Sequence, residues 1–213
     1  MNVTTAPNEI VWTIVVAAGS GARFGGPKQF SMLGDRRVLD WSVETAGSTS
    51  AGVVVVLPAA DAEREGGVAG GETRSESVRC GLAAVPAEAT IICVHDAARP
   101  FANEDDFRRV IAAVADGADG AVPAIPVADT IKVVDERGYV LDTPDRNSLR
   151  AVQTPQGFTF DVITAAHASG ADATDDAALV ALLGVPVKII PGSPLARKIT
   201  TFDDLTWAQE LAV

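Results

Sequence analysis

Two cations flank a short glycine bend near the start of the chain. In VVAAGSGARFGGPKQF, residues 15–30, an apolar run breaks at Gly19 and Gly21, with Arg23 inside the bend and Lys28 beyond it. The glycines let backbone N–H groups approach an anion closely. The segment lacks the lysine–serine or lysine–threonine ending of a P-loop. Cations on both sides of a backbone cradle suit the charge that builds up during phosphoryl or nucleotidyl transfer. Pro27 locks its own φ and so fixes the approach of Lys28. Taken alone, the same residues also describe a solvated turn with two ordinary surface cations.

Three further groups of residues bear on the same chemistry. In GGETRSESV, Gly70 and Gly71 lead into a helix for which Ser75 is a plausible N-cap, and a helix N-terminus offers N–H groups to a base edge, ribose or phosphate. In VHDAARP, Asp96 follows directly on an apolar strand, where a carboxylate can hold magnesium against phosphates; Arg99 is its expected ion-pair partner. The late segments PDRNSLR, ATDDAAL and LARKIT supply Arg146, Thr174 and Lys198, which could grip a second phosphate-bearing substrate. Each of these taken singly is an ordinary turn, cap or strand-end residue; only the set makes a site.

Composition limits what the set can serve. The chain has 213 residues, 47% of them hydrophobic, which suits one α/β domain with a sizeable core. A formal net charge of −11 argues against a nucleic-acid polymer, whose binding depends on many neutralised phosphates, yet leaves room for a small anion held by a few local cations. Cys80 and Cys93 belong to no CxxC pair or His/Cys cluster, so they read as small core residues in a reducing compartment. The opening MNVTTAPNEI has no basic stretch followed by a long apolar one, and no run approaches membrane-spanning length. The expected location is the cytoplasm.

The elements that must present these residues follow from periodicity. EIVWTIVVAA, VVVVLP (from Val53), IICVHD and GAVPAIPV are buried strands; RRVLDWSVETA, SESVRCGLAAV and EDDFRRVIAAVADG are helices between them. The alternation predicts a Rossmann-like, doubly wound, mostly parallel α/β sheet, in which ligands bind beyond the carboxyl ends of the strands. From Val127 to Arg150 the rhythm changes to two short β runs around Asp135-Glu136-Arg137-Gly138, a hairpin signal. An arm of that kind suits packing on a second copy of the chain, so a homodimer is expected. The α/β rhythm then resumes, with helices from Asp161 and Asp175, a strand VPVKII, and a last helix opened by a Thr201/Asp204 capping box.

AAGSGARFGGPKQF, GGETRSESV, VHDAARP, DTIK, DR, QTPQGF, TDDAAL and KIT stand in the order and approximate spacing of one family. From about Val11 to Ala212 the chain resembles the 2-C-methyl-D-erythritol 4-phosphate cytidylyltransferases of the non-mevalonate isoprenoid pathway. The resemblance implies a nucleotidyltransferase that joins CTP to methylerythritol phosphate and releases pyrophosphate. The substrate phosphate attacks the α-phosphorus in line, without a covalent enzyme intermediate. It assigns Arg23, Lys28 and Lys198 to the triphosphate and its developing charge. Ala17, Ala18, Gly19 and Gly21 go to the nucleotide backbone contacts, and Gly71, Glu72 and Ser77 to cytosine and ribose. Asp96 falls on the magnesium position, and Arg146, Thr174, Thr130 and Asp96 on the alcohol phosphate. The hairpin falls on an arm that crosses to a dimer mate, so that Arg146 serves the other subunit. Three segments depart from the family pattern: FGG before Pro27 is short, residues 57–71 are short, and Glu72 stands where aspartate is common.

Other readings fit less well. A ribitol 5-phosphate or related polyol-phosphate cytidylyltransferase shares the glycine loop, PKQF and TPQ, but HDAARP and TDDAAL favour the methylerythritol family. An NAD-dependent oxidoreductase needs a third fingerprint glycine and an acid at the end of the second strand, and both are missing. A non-catalytic nucleotide-binding protein could lose Arg23, Lys28 and Asp96, yet all three are present.

Overall fold

A computed structural model describes residues 9–212. The expectation that the first residues form no signal peptide concerns, for Met1 to Asn8, positions outside that range. The β-branched run after Glu9 forms β1 (Val11–Val16). A 3-10 turn at Lys28–Phe30 and two short strands, β2 (Met32–Leu33) and β3 (Arg36–Arg37), precede α1 (Val38–Thr49). Next come β4 (Gly52–Leu57), the four-residue α2 (Ala59–Ala62), β5 (Val68–Ala69), α3 (Arg74–Leu82), β6 (Ile91–Asp96), α4 (Glu104–Ala115) and β7 (Gly120–Pro126). The excursion holds β8 (Val133–Val134) and β9 (Val140–Asp142), and returns through β10 (Arg150–Val152). The chain closes with β11 (Gln156–Thr159), α5 (Phe160–Ala168), α6 (Asp176–Leu182), β12 (Lys188–Pro191) and α7 (Phe202–Gln209).

β1 pairs in parallel with β4 on one side and β6 on the other, and β5 extends the sheet beyond β4. β11 is inserted between β6 and β7 and, like β10 beside β7, runs antiparallel. β10 continues along the same side of β7, with Val152 opposite Ala124, while β12 runs parallel on the other side. The sheet is thus mixed and mostly parallel, as expected. The short segment after β4 leaves an edge strand of only two residues, Val68–Ala69.

Strand alternation divides the core. Val15 and Cys93 face α1 and α4 with Leu39, Ala46, Phe107 and Val110; Ile14, Ile92 and Val94 face α3, α5 and α6 with Val78, Ile163 and Leu179. Four helices start at side-chain caps. Thr73, Asn103, Asp175 and Thr201 each accept a backbone N–H from the first turn. The cap of α3 is therefore Thr73 and not Ser75, which lies inside the helix. Thr73 wins because Glu76 sits three residues on and completes a reciprocal box.

The hairpin forms where expected. Gly138 (φ 85°) donates to the Asp135 carbonyl at 3.0 Å, and Val133, Val134, Tyr139, Val140 and Leu141 all stand exposed on it. No helix among the described residues is long and apolar enough to cross a membrane.

Candidate active site

The carboxyl ends of β1 and β6, the 3-10 turn and the start of α3 enclose a cavity of about 330 Å³. Its wall includes Ala17, Ala18, Gly19, Lys28, Gly71, Glu72, Ser77, Asp96 and Lys198. Nine of the residues expected from the sequence thus meet around one space, from five separate segments. Among the described residues, the backbone N–H groups of Gly19 and Ser20 take no protein acceptor, which leaves them available to an anion. Gln29 of the PKQF segment is buried in the cavity wall and donates to the Gly19 carbonyl at 3.4 Å, bracing the loop.

The glycine bend is closed on itself. The N–H groups of Phe24, Gly25 and Gly26 all point to the Gly21 carbonyl, at 2.8, 2.9 and 3.3 Å. Gly21 has φ 67°, and a Cβ there would collide with the Gly26 carbonyl oxygen, so only glycine allows the bend. Phe24 packs against Phe202 of α7, ring centroids 6.2 Å apart. This compact turn sets Arg23 outward: Arg23 is exposed and does not line the cavity. Gly21, Thr130, Arg146 and Thr174 also lie off its wall. Arg146 donates to the Ala128 carbonyl at 2.9 Å within the arm, and Thr130 and Thr174 are exposed.

The start of α3 is less open than the sequence suggests. Glu76 accepts from the N–H groups of Glu72 (2.7 Å) and Thr73 (3.2 Å), and Thr73 accepts from Glu76 N–H (3.1 Å). The capping box therefore uses these donors internally, and recognition there falls to other atoms.

Asp96 is the electrostatic centre. Its Oδ2 accepts from Lys198 Nζ at 2.6 Å and its Oδ1 from Arg74 Nε at 3.2 Å. Its N–H donates to the Thr154 hydroxyl, which also lies 3.0 Å from Nδ1 of His95. Burial opposes the Asp96 charge, but Arg74, Lys198 and Arg99 outweigh it and hold the carboxyl far below the usual range. Burial also lowers the Lys28 ammonium; Lys198 and Arg23 add repulsion, which Asp96 and Asp204 oppose, and a bound polyphosphate would relieve that repulsion. Burial takes the His95 imidazole down to about 4, which keeps it neutral.

The expected Arg99–Asp96 ion pair does not form. The Arg99 guanidinium instead donates to the carbonyls of Ala196 (2.8 Å) and Val152 (3.4 Å), tying the segment before Lys198 to β10. Arg74 takes its place and was the residue missed. A cation at the first position of a helix opposes the macrodipole, and that is the signal that could have marked it as needing anionic partners. Its Nη2 lies 2.9 Å from Oδ2 of Asp176, the buried first residue of α6. Gln156 of the TPQGF segment accepts from the N–H groups of Asp176 and Ala177 and donates to Asp175, which fixes the start of α6.

The arrangement holds backbone donors, two lysines, Arg74 and the carboxylates of Glu72 and Asp96 around a space open to an anion. The family model of 2-C-methyl-D-erythritol 4-phosphate cytidylyltransferase (IspD) matches residues 11–212. The chain belongs to that family. A cytidylyltransferase of this name from Nocardia farcinica is 45% identical over 94% of the chain and 93% of its own length. Another from Frankia casuarinae is also 45% identical, over 94% and 80% respectively. The crystal structure of the Thermus thermophilus family member has a TM-score of 0.82 at 37% identity, covering 96% of this chain and 98% of that one. Family membership accounts for the mixed sheet.

Proposed function

We propose that this protein transfers the cytidylyl group of CTP to 2-C-methyl-D-erythritol 4-phosphate, releasing pyrophosphate. The observation that carries the reading is the meeting of Gly19, Lys28, Asp96 and Lys198 around one cavity in a chain of this family. Ala17, Ala18, Gly19 and Gly21 form the nucleotide side, with Gly71, Glu72 and Ser77 around cytosine and ribose. Lys28 and Lys198 stabilise the triphosphate and the charge that grows at the α-phosphorus, and Arg23 joins them when its turn bends inward. Thr130, Arg146 and Thr174 hold the methylerythritol phosphate, whose own oxygen is a competent nucleophile. Catalysis is then positioning and charge stabilisation.

A hard divalent cation, Mg²⁺ in the first place, fits the donor set. Asp96 is a carboxylate kept ionised beside the cavity, and a single protein carboxylate with substrate phosphates and water is the usual setting for Mg²⁺. When bound, the ion would neutralise phosphate charge. Lys198, now on Asp96 Oδ2, would then be free to pair with phosphate.

The exposed apolar hairpin supports a homodimer in which Arg146 completes the partner's site. The two unpaired cysteines support a reducing, cytoplasmic setting. The test is pyrophosphate release with CTP and methylerythritol phosphate, with the other nucleoside triphosphates and ribitol 5-phosphate as controls. Turnover preferring ribitol phosphate, or independent of CTP, would sink the reading.

A further inference from the structure

Behind the cavity wall a line of charged groups runs into the protein. Asp96 meets Arg74, Arg74 meets Asp176, and Oδ1 of Asp176 lies 2.9 Å from Nε2 of His167 on α5. Asp176 is fully buried and His167 is 3% exposed. The carboxylate only accepts, so His167 donates from Nε2. Arg74 lines the cavity together with Asp96 and links it to Asp176, and its contact with Asp176 lacks hydrogen-bond alignment. Its two terminal nitrogens are buried without hydrogen-bond partners. The guanidinium is thus held by Nε on Asp96 and by charge from Asp176, and any swing of Asp176 would move it. What prevents that swing at Oδ1 is His167; at the backbone it is Gln156.

We propose that His167 is a positioning residue for the nucleotidyl-transfer site: through Asp176 it fixes the Arg74 guanidinium, and through Arg74 the Oδ1 of Asp96. Oδ1 then stays engaged by Arg74, while Oδ2, now on Lys198, is the oxygen that can be given up to a divalent cation. The same line explains why TDDAAL and TPQGF belong with the site although Asp176 and Gln156 lie behind its wall. Buried charge in a continuous line demands that each member be held, because one displaced group leaves its neighbour unpaired.

The proposal rests on the CTP-binding reading of the cavity. His167→Gln keeps a donor at about the reach of Nε2, whereas His167→Asn is too short to meet Asp176. Calorimetric titration of CTP with Mg²⁺ into wild type and both variants is the test, with thermal melting alongside. His167→Asn is expected to raise the half-saturating Mg²⁺ concentration about tenfold, as loss of an outer partner of a metal ligand does, and His167→Gln to restore it to within about twofold. Unchanged titration in His167→Asn, or equal loss in both variants, overturns the proposal while wild-type CTP binding stands. Absence of CTP binding by wild type overturns the functional reading and the proposal with it. If His167→Asn does not fold, wild type decides. The sequence has only two histidines, and the His167 ring resonances, identified by their absence from His167→Gln, are expected to shift when CTP and Mg²⁺ are added. No shift overturns the proposal.

Discussion

The ammonium of Lys198 lies 2.6 Å from Oδ2 of Asp96, a contact between residues 102 apart in sequence. It joins the end of the central strand β6 to the last loop of the chain and sets the charge of the cavity. The two partners differ in burial: the Asp96 side chain is 10% exposed and that of Lys198 37%. Their substitutions should therefore differ in kind.

Asp96→Asn removes a buried charge and leaves Arg74 with Asp176 alone. It should lower the unfolding free energy by about 3 kcal/mol, the order seen when one member of a buried pair is removed. Turnover should fall roughly 10²- to 10³-fold, the order for one preorganised electrostatic partner. Lys198→Ala should cost as much turnover but no more than about 1 kcal/mol of stability, because the lysine side chain is over a third exposed and Asp96 keeps Arg74 as a partner. Urea unfolding and pyrophosphate release on the two variants check the contrast. Equal destabilisation would contradict it.

Asp204 offers a pH test away from the reacting groups. It accepts from the N–H groups of Thr200 and Thr201, both at 2.9 Å, and from Arg197, just before Lys198. Burial pushes its pKa up, but these hydrogen bonds outweigh it and the value falls below the ordinary 3.8. The folded state therefore binds this proton less readily than the unfolded chain. The stabilisation is full above about pH 3.8 and disappears as pH drops through the lower folded value. Asp204→Asn should cost about 1 kcal/mol near neutrality, on the scale of a helix cap. The gap from wild type should close in acid. Denaturant unfolding from pH 7 to pH 2.5 measures it; a gap that widens in acid would contradict the sign.

The strands and the loops that line the cavity were legible because their signals are local. Buried β-branched runs form β1, β4 and β6; Gly19 and Asp96 stand at the carboxyl ends of β1 and β6, where ligands bind in such sheets, and Lys28 follows at the far side of the glycine bend. Arg74, Asp176 and His167 were not legible in this way. Their roles depend on contacts between α3, α5 and α6, which no spacing within one segment encodes. Arg99 misled because it lies three residues from Asp96, within apparent reach, yet the turn after β6 directs its guanidinium to two carbonyls. Ser75 misled because Ser, Thr and Asp compete as caps within a few residues, and only the partner Glu76 selects Thr73.

Gly71→Ala should separate binding from turnover. A Cβ at 71 would run into the Glu76 side chain, the group that accepts from Glu72 and Thr73. Displacing it opens the capping box at the cavity wall, at a cost of about 1 kcal/mol. The expected result is a higher KM for CTP with kcat reduced less than KM is raised, together with a lower melting temperature. Steady-state kinetics at saturating methylerythritol phosphate make the comparison, and a pure kcat defect would contradict it.

The arm makes the strongest claim on assembly, since Arg146 lies off the cavity wall of its own chain. If it serves a partner, Arg146→Ala and Lys198→Ala homodimers should each be nearly inactive. Each fails for a different reason: one lacks the incoming arm group, the other the resident lysine. When equal amounts are unfolded together and refolded, half the dimers are mixed. In a mixed dimer the Arg146→Ala subunit keeps its own Lys198 and receives an intact arm, so one of its two sites works. Activity should then recover to about a quarter of wild type, as a two-fold assembly requires. Without exchange of arms, each site depends on its own chain, and mixing restores nothing. Leu141→Asp, placed on the exposed apolar hairpin, should turn the dimer into a monomer in sedimentation and abolish the recovery.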